Sequence, residues 1–252
     1  MISIKTPEEI DRIRKASKIV ALALRDIEKY LKPGISTLEI DGIIEKLIVN
    51  NGGFPAFKGY RGYRHAACIS VNHEVVHGIP SDEKKLSEGD VVAVDVGAVW
   101  EGYYGDSAKT FAIGRIPKIA KKLLKCGEDA LDDAIKIIKP GVRLGDVSSA
   151  IESRANRNGF SVVKDLFGHG IGKNLHEDPL IPNFGNKGEG IELKEGMVLA
   201  IEPMINEGGY KVATLSDGWT VITVDKKLSV HFEHTVLVAQ NGVEILTCLK
   251  KM

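Results

Sequence analysis

Two carboxylates stand where a buried strand should carry apolar side chains. Asp95 interrupts Val91-Val-Ala-Val-Asp-Val96, and Glu202 closes Val198-Leu-Ala-Ile-Glu202. Taking an unpaired carboxylate out of water is costly, so each needs a cation or a dense set of donors. Two more acids sit near them. Asp106 follows Asp95 by 11 residues across a turn at Trp100-Glu-Gly102, and an antiparallel hairpin brings such positions to within roughly 5–8 Å. Glu233, in His231-Phe-Glu-His-Thr-Val-Leu-Val238, plays the corresponding part beside Glu202 after a longer connection. Four acids at one place repel, and some are forced to keep their protons. Two divalent cations remove the conflict, since carboxylates bridge ions about 3.5–4 Å apart and such pairs activate water for hydrolysis. An all-oxygen shell favours magnesium or calcium, whereas an imidazole moves the preference to transition metals. His169, inside Gly168-His-Gly-Ile-Gly172, is the candidate, because flanking glycines let the backbone pass close to a site.

The bland alternatives are specific. Any one acid alone reads equally well as a salt-bridge or capping residue. His65, His73 and His231 read as ordinary core or surface histidines. A phosphate loop at Gly168–Gly172 is disfavoured, because no helical pattern follows it directly.

The elements that must position these groups carry local signals. Thr6-Pro-Glu-Glu9 reads as an N-cap, a first-turn proline and a capping-box acid. Ile10, Ile13, Ala16 and Val20 then share a helical face, and the helix should stop at Lys32-Pro-Gly34. Ser36 and Glu39 open a second helix ending at Asn51-Gly52. A third spans about Pro117 to Ile138 and a fourth about Leu144 to Asn158. Val91–Val96 and Lys109–Ile113 read as a hairpin, and Val198–Ile201, Thr220–Val224 and Phe232–Val238 as later strands.

A faint duplication organises the chain. Leu31-Lys-Pro-Gly34 and Asn51-Gly-Gly-Phe54 reappear as Ile138-Lys-Pro-Gly141 and Asn158-Gly-Phe160. Leu86-Ser-Glu-Gly-Asp-Val-Val-Ala-Val-Asp95 reappears as Leu193-Lys-Glu-Gly-Met-Val-Leu-Ala-Ile-Glu202. Pro33 to Pro140 and Asp95 to Glu202 share an offset of 107 residues. Two matches at one offset imply two halves, about 1–115 and 116–252, within a single catalytic domain. Helix pairs segregated from strands imply an α+β fold with a largely antiparallel sheet, a pseudo-twofold axis and a cleft between the halves.

Bulk properties are those of a globular protein: of 252 residues, 43% are hydrophobic and 27% charged. Lys+Arg and Asp+Glu each number 34, which gives no electrostatic case for direct nucleic-acid or membrane binding. No apolar run nears the roughly 20 residues of a bilayer span, and no secretory signal is recognisable. Cys68, Cys126 and Cys248 read as buried reduced thiols of a cytoplasmic protein. No long exposed apolar stripe calls for a dimer, so a monomer is expected.

Several motifs together resemble the type I methionine aminopeptidases. They are Val71-Asn72 to His77-Gly-Ile-Pro80, Asp95-Val-Gly97, Gly105-Asp106, Gly168-His-Gly-Ile-Gly172, His176-Glu-Asp-Pro179, Ile201-Glu-Pro-Met204 and Phe232-Glu-His-Thr235. The match runs from about Ile4 to Thr247. The resemblance implies the pseudo-twofold "pita-bread" fold, a curved sheet with two helix pairs on its outer face. It also implies removal of N-terminal methionine from new polypeptides with a small second residue.

The resemblance assigns roles as well. Asp95 holds one metal through both oxygens, Asp106 and Glu233 bridge two ions, and His169 and Glu202 complete the other shell. Cobalt, manganese, iron or zinc suits that shell. His77, His176 and Glu202 are implied to be catalytic, with a protonated His176 steadying the oxyanion and Glu202 shuttling a proton. Tyr60, Tyr63, Cys68 and Trp219 are implied, with the two histidines, to contact the substrate. Leu175 departs from the aromatic that many members carry, which puts that wall of the pocket in question. Asn72 and Ser229 match positions where some relatives bind a monovalent cation.

Only 25 residues separate His176 from Glu202, leaving no room for the insert of type II enzymes. The chain also opens almost directly at the catalytic domain, unlike prolidases. The ribosome is an implied encounter partner. The rival readings are a proline-directed peptidase of the same fold and a non-catalytic binding protein on that scaffold.

Overall fold

The computed structural model describes residues 2–249. Four helices come as two pairs, α1 (Pro7–Ile27) with α2 (Thr37–Asn50) and α3 (Lys118–Lys136) with α4 (Leu144–Arg157). The strands of the first half are β1 (Phe54–Pro55), β2 (Ala67–Val71), β3 (Glu74–Val76), β4 (Val91–Trp100) and β5 (Tyr103–Ala112). The second half carries β6 (Ser161–Val162), β7 (Phe167–Gly170), β8 (Glu177–Pro182), β9 (Val198–Ile201) and β10 (Met204–Asn206). After these come β11 (Val212–Thr214), β12 (Val221–Thr223), β13 (Ser229–His231), β14 (His234–Ala239) and β15 (Gly242–Ile245).

The helix starts follow the expected chemistry. The Thr6 hydroxyl accepts the Glu9 amide at 3.3 Å while Glu9 accepts the Thr6 amide at 2.9 Å. Ser36 and Glu39 repeat that box at 3.1 and 2.8 Å. All four helices end within a few residues of their expected limits.

Every pairing between the named strands is antiparallel. The central hairpin β4–β5 is longer than expected, ten residues a side. Its turn has positive φ at Glu101 (48°) and Gly102 (78°), which matches the right-handed strand twist. One expected strand is corrected. Phe232–Val238 is not continuous, because β13 ends at His231, Phe232 and Glu233 form a break, and β14 begins at His234. That break turns the Glu233 carboxylate into the site.

The described strands pair into four sheets, of four, three, three and five strands, rather than the single curved sheet expected, and the two helix pairs cover different ones. Ile19, Ile27, Ile40, Ile44 and Ile48 pack with Val92, Val94 and Val96. Leu123, Leu131, Ile135, Val147 and Ile151 pack with Val230, Val236 and Val238. Each such fully buried side chain contributes roughly 1.5–3 kcal/mol. Because strand side chains alternate between faces, Val92, Val94 and Val96 beneath the helices place Asp95 on the opposite face. Close contact is built into the sequence: a Cβ on Gly105 would lie 2.5 Å from the Ser17 amide nitrogen, so α1 rests directly on β5.

The halves meet along β5 and the β13–β14 break through hydroxyls as well as backbone. Thr235 accepts the Asp106 amide at 3.1 Å and donates to its carbonyl at 2.7 Å. Thr110 does the same for His231 at 2.9 and 2.8 Å. Ser107 donates to the Glu233 carbonyl at 2.5 Å, and the Glu233 amide reaches the Ala108 carbonyl at 2.8 Å. Among the described residues no helix is long and apolar enough to cross a membrane. Cys68 and Cys126 are buried free thiols as expected, but Cys248 is exposed.

Candidate active site

Register converts sequence spacing into a cluster. On the hairpin, Asp95 faces Ala108 and Asp106 faces Gly97, so the two acids are diagonal neighbours on one face. In the other half His169 pairs with Ala200, which puts Glu202, two places on, on the side of His169. β14 pairs with β9 from His234 and Ile201, so Glu233 and Glu202 meet just past the end of that ladder. Ligand atoms of Asp106, His169 and Glu233 lie within 4.8 Å of one another. His169 Nε2 is 3.7 Å from Glu202 Oε1. All five expected ligands therefore border one cavity.

The glycines around His169 exist for close approach. A Cβ on Gly168 would lie 2.5 Å from the Ala200 carbonyl oxygen, and one on Gly170 would lie 2.1 Å from that of Asp178. His169 Nδ1 donates to the Gly170 carbonyl at 2.9 Å. That fixes the tautomer and leaves the Nε2 lone pair facing the acids, as a metal ligand requires.

The electrostatics are those of acids awaiting cations. Asp106 and Glu233 are 4% and 2% exposed. Burial pushes Asp95 up to about 7, with Glu202 adding to the rise. Burial, Asp95 and Glu202 hold Asp106 well above the usual range, and burial, Asp106 and Glu202 do the same to Glu233. Glu202 moves the other way: burial raises it, but His231, His169 and His77 outweigh burial and favour the carboxylate. Asp95 Oδ1, Asp106 Oδ1 and Glu233 Oε1 are buried without a hydrogen-bond partner. Carboxylate oxygens left bare beside an imidazole nitrogen suit divalent transition cations.

The same cavity, about 350 Å³, is walled by Tyr60, Tyr63, Cys68, His77, His176 and Trp219. Tyr63 and Trp219 meet edge to face at 4.9 Å, and the Tyr63 hydroxyl donates to the Ala67 carbonyl at 3.1 Å. Leu175, 2% exposed, joins this wall, so an aliphatic side chain closes it. His77 sits at φ 59°, a left-handed conformation for a non-glycine residue, at the cavity edge. His176 shares a 2.8 Å hydrogen bond between Nδ1 and the Tyr60 hydroxyl, and its ring centroid is 4.3 Å from that of His169.

One expectation about His176 changes. Burial, with His169 next, pushes it down to about 4, so the ring is neutral near pH 7 rather than protonated. If the Tyr60 hydroxyl is the donor to Nδ1, the proton of the neutral ring sits on Nε2.

Sequence reasoning missed His231. Its sequence setting is that of an ordinary core histidine, and it is indeed 2% exposed, but its Nε2 lies 3.4 Å from Glu202 Oε2 in the site. Glu202 is thus flanked by two imidazoles. Arg61, Leu166, Leu180 and Met204 also line the cavity, and their spacing carried no signal. His65 pairs with Asp41 at 3.1 Å, the ordinary role expected of it.

Comparison with known proteins agrees with this geometry. Residues 11–240 match the model of metallopeptidase family M24. The chain is 49% identical over 247 residues to methionine aminopeptidase 1 of Bacillus subtilis, covering 98% of this chain and 99% of that protein. A crystal structure of methionine aminopeptidase from Thermotoga maritima superposes with a TM-score of 0.98 at 50% identity, covering 99% of this chain and all of that one. A prolidase from Pyrococcus furiosus shares the fold at a TM-score of 0.80 and 28% identity, with 98% of this chain matching 66% of that one. Identity sets the proline-directed reading aside, and the full ligand set disfavours a non-catalytic scaffold. The chain belongs to metallopeptidase family M24, among its methionine aminopeptidases.

Proposed function

We infer that this protein is a metal-dependent aminopeptidase that removes the N-terminal methionine of new polypeptides. The observation that carries the reading is the meeting of four acids and an imidazole in the lining of one cavity of about 350 Å³ that Tyr63, Leu175 and Trp219 also wall. Asp95, Asp106, His169, Glu202 and Glu233 would hold two divalent cations, of cobalt, manganese, iron or zinc, and the three partnerless oxygens support that fit. When bound, the cations polarise the scissile carbonyl and acidify water.

The chain's own groups do the rest. Tyr63, Cys68, Leu175 and Trp219 enclose the methionine side chain. Neutral His176 donates from Nε2 to the carbonyl oxygen as charge develops there. Glu202, kept ionised by its imidazole neighbours, accepts the proton of the attacking water and returns it to the leaving amine. His77 contacts the peptide beyond the scissile bond, where a narrow cleft favours a small second residue. The two halves act as one catalytic domain.

A monovalent cation beside Asn72 and Ser229 belongs to the same reading, and the 2.8 Å bond from the Ser229 amide to the Asn72 carbonyl shows only that the two positions are neighbours. Cytoplasmic placement and an encounter with the ribosome suit a nascent-chain substrate, and a monomer suits a sequence without a long exposed apolar stripe. The test is turnover of Met-Ala-initiated, Xaa-Pro and N-acetylated peptides by the divalent-loaded protein. Cleavage of the first alone is expected, and equal cleavage of acetylated peptides would end the reading.

A further inference from the structure

The segment bearing Leu175 and His176 is tied down by residues far away in sequence. Lys5, ahead of α1, is an almost fully buried lysine, its side chain 4% exposed, paired with the Glu177 carboxylate, 13% exposed. The other Glu177 oxygen accepts the Asn174 amide at 3.1 Å. Gly172 packs onto the pair: a Cβ there would lie 2.7 Å from Lys5 Nζ and 2.9 Å from Glu177 Oε1. The last glycine of the Gly168–Gly172 run therefore makes room for this ion pair rather than for the metal ligands. A second tie runs in parallel. Lys173 Nζ pairs with Glu9 Oε1 at 2.9 Å, and the Tyr103 hydroxyl donates to the same oxygen at 3.1 Å. The Lys5 amide meanwhile donates to the Gly196 carbonyl at 2.9 Å, fastening the arm to the second half of the chain.

We propose that the arm through Lys5 is a strap that holds His176 in place, and that Lys5 is a positioning residue for the aminopeptidase reaction. The reasoning is physical. His176 immediately precedes Glu177, and its ring is held by the Tyr60 hydroxyl at Nδ1 and by contact with the His169 ring. A buried ion pair is a poor source of net stability, because desolvation offsets most of the attraction, but it fixes geometry. Fixing the Glu177 carboxylate fixes the backbone on both sides of Leu175 and His176. A donor aimed at developing charge loses most of its effect on small displacement, and shifts of about 1 Å cost up to about a hundredfold. The proposal rests on the aminopeptidase reading and on the role given there to His176.

The experiment is a double-mutant cycle on the divalent-loaded enzyme with a Met-Ala-initiated peptide. It uses Lys5→Met, His176→Ala and both together, with kcat taken per folded, metal-loaded chain well below the unfolding temperature. Lys5→Met is expected to lower kcat about tenfold or more, to move KM by less than about threefold, and to add less than about twofold in the His176→Ala background. Amide exchange of residues 173–177 should quicken in Lys5→Met. Glu177→Gln, isosteric and neutral, gives the same pattern where Lys5→Met folds poorly. Unchanged kcat in Glu177→Gln, or equal losses in both backgrounds, overturns the strap. Wild-type enzyme idle on Met-initiated peptides sinks the aminopeptidase reading instead, so the two failures are distinguishable.

Discussion

A carboxylate deprived of water must find a cation or keep its proton, and this site shows both halves of that rule. Burial is the largest cause in raising all three acids, pushing Asp95 up to about 7 and holding Asp106 and Glu233 well above the usual carboxylate range. Between about pH 4 and 7 the folded, metal-free chain therefore holds protons that an unfolded carboxylate has released. These carboxyls lower stability as pH rises through that window, while His77, His176 and His234, which burial pushes down, act in the opposite sense. Divalent ions relieve only the carboxyl part, so calorimetry should show the gap in unfolding midpoint between divalent-loaded and chelator-treated protein widening from pH 5 to pH 7. Loading should also displace protons into the buffer, and a gap that does not change with pH would contradict the assignment. Asp95 and Glu202 stand out as candidate ligands in the sequence because a charge within or closing Val-Val-Ala-Val or Val-Leu-Ala-Ile is conspicuous, and Asp106, His169 and Glu233 follow from their spacing and motifs. His231 does not stand out, because its value comes from the chain break after it, which neither composition nor period announces. The charge state of His176 was also beyond reach, since it depends on burial that only folding creates.

At the level of elements, caps and close approaches decide the architecture. Helix limits could be read because Thr6–Glu9 and Ser36–Glu39 are chemical statements about unsatisfied amides. Strands of two or three residues, such as β1 and β6, carry no readable period, and Phe232–Val238 looked continuous because nothing in its alternation marks a break. The resting of α1 on β5 is a sharper matter. Gly105 faces the backbone of Ala16 and Ser17, which cannot turn aside as a side chain does. Gly105→Ala should cost on the order of 3 kcal/mol or more, as overpacking against a fixed partner does. Gly52→Ala, where nothing lies within 4 Å but φ is 84°, should cost only about 1 kcal/mol. Denaturant titration of the two variants checks the ranking, and a reversed order would show that α1 yields easily.

Across the whole molecule, the repeat at 107 residues predicts two halves but carries no signal for the hydroxyl seam between its two copies. That seam is made by Ser107, Thr110 and Thr235 hydroxyls meeting backbone more than 100 positions away in sequence. Asp106 and Glu233 both stand on that seam, so cations and seam should strengthen each other. Removing divalent ions should lower the unfolding midpoint by several degrees and quicken amide exchange at Asp106, His231 and Thr235 more than in α2 or α4. Uniform exchange across the molecule would argue against this coupling.

The reciprocal bonds between Thr235 and Asp106 also bear on the making of the protein. Of the five proposed ion ligands, two precede residue 107 and three follow residue 168, and the joining threonine comes two places after Glu233. A translation product halted anywhere short of that stretch would carry exposed acids with no cations to quiet them, and no hydrolytic power. The enzyme is therefore switched on by its own completion.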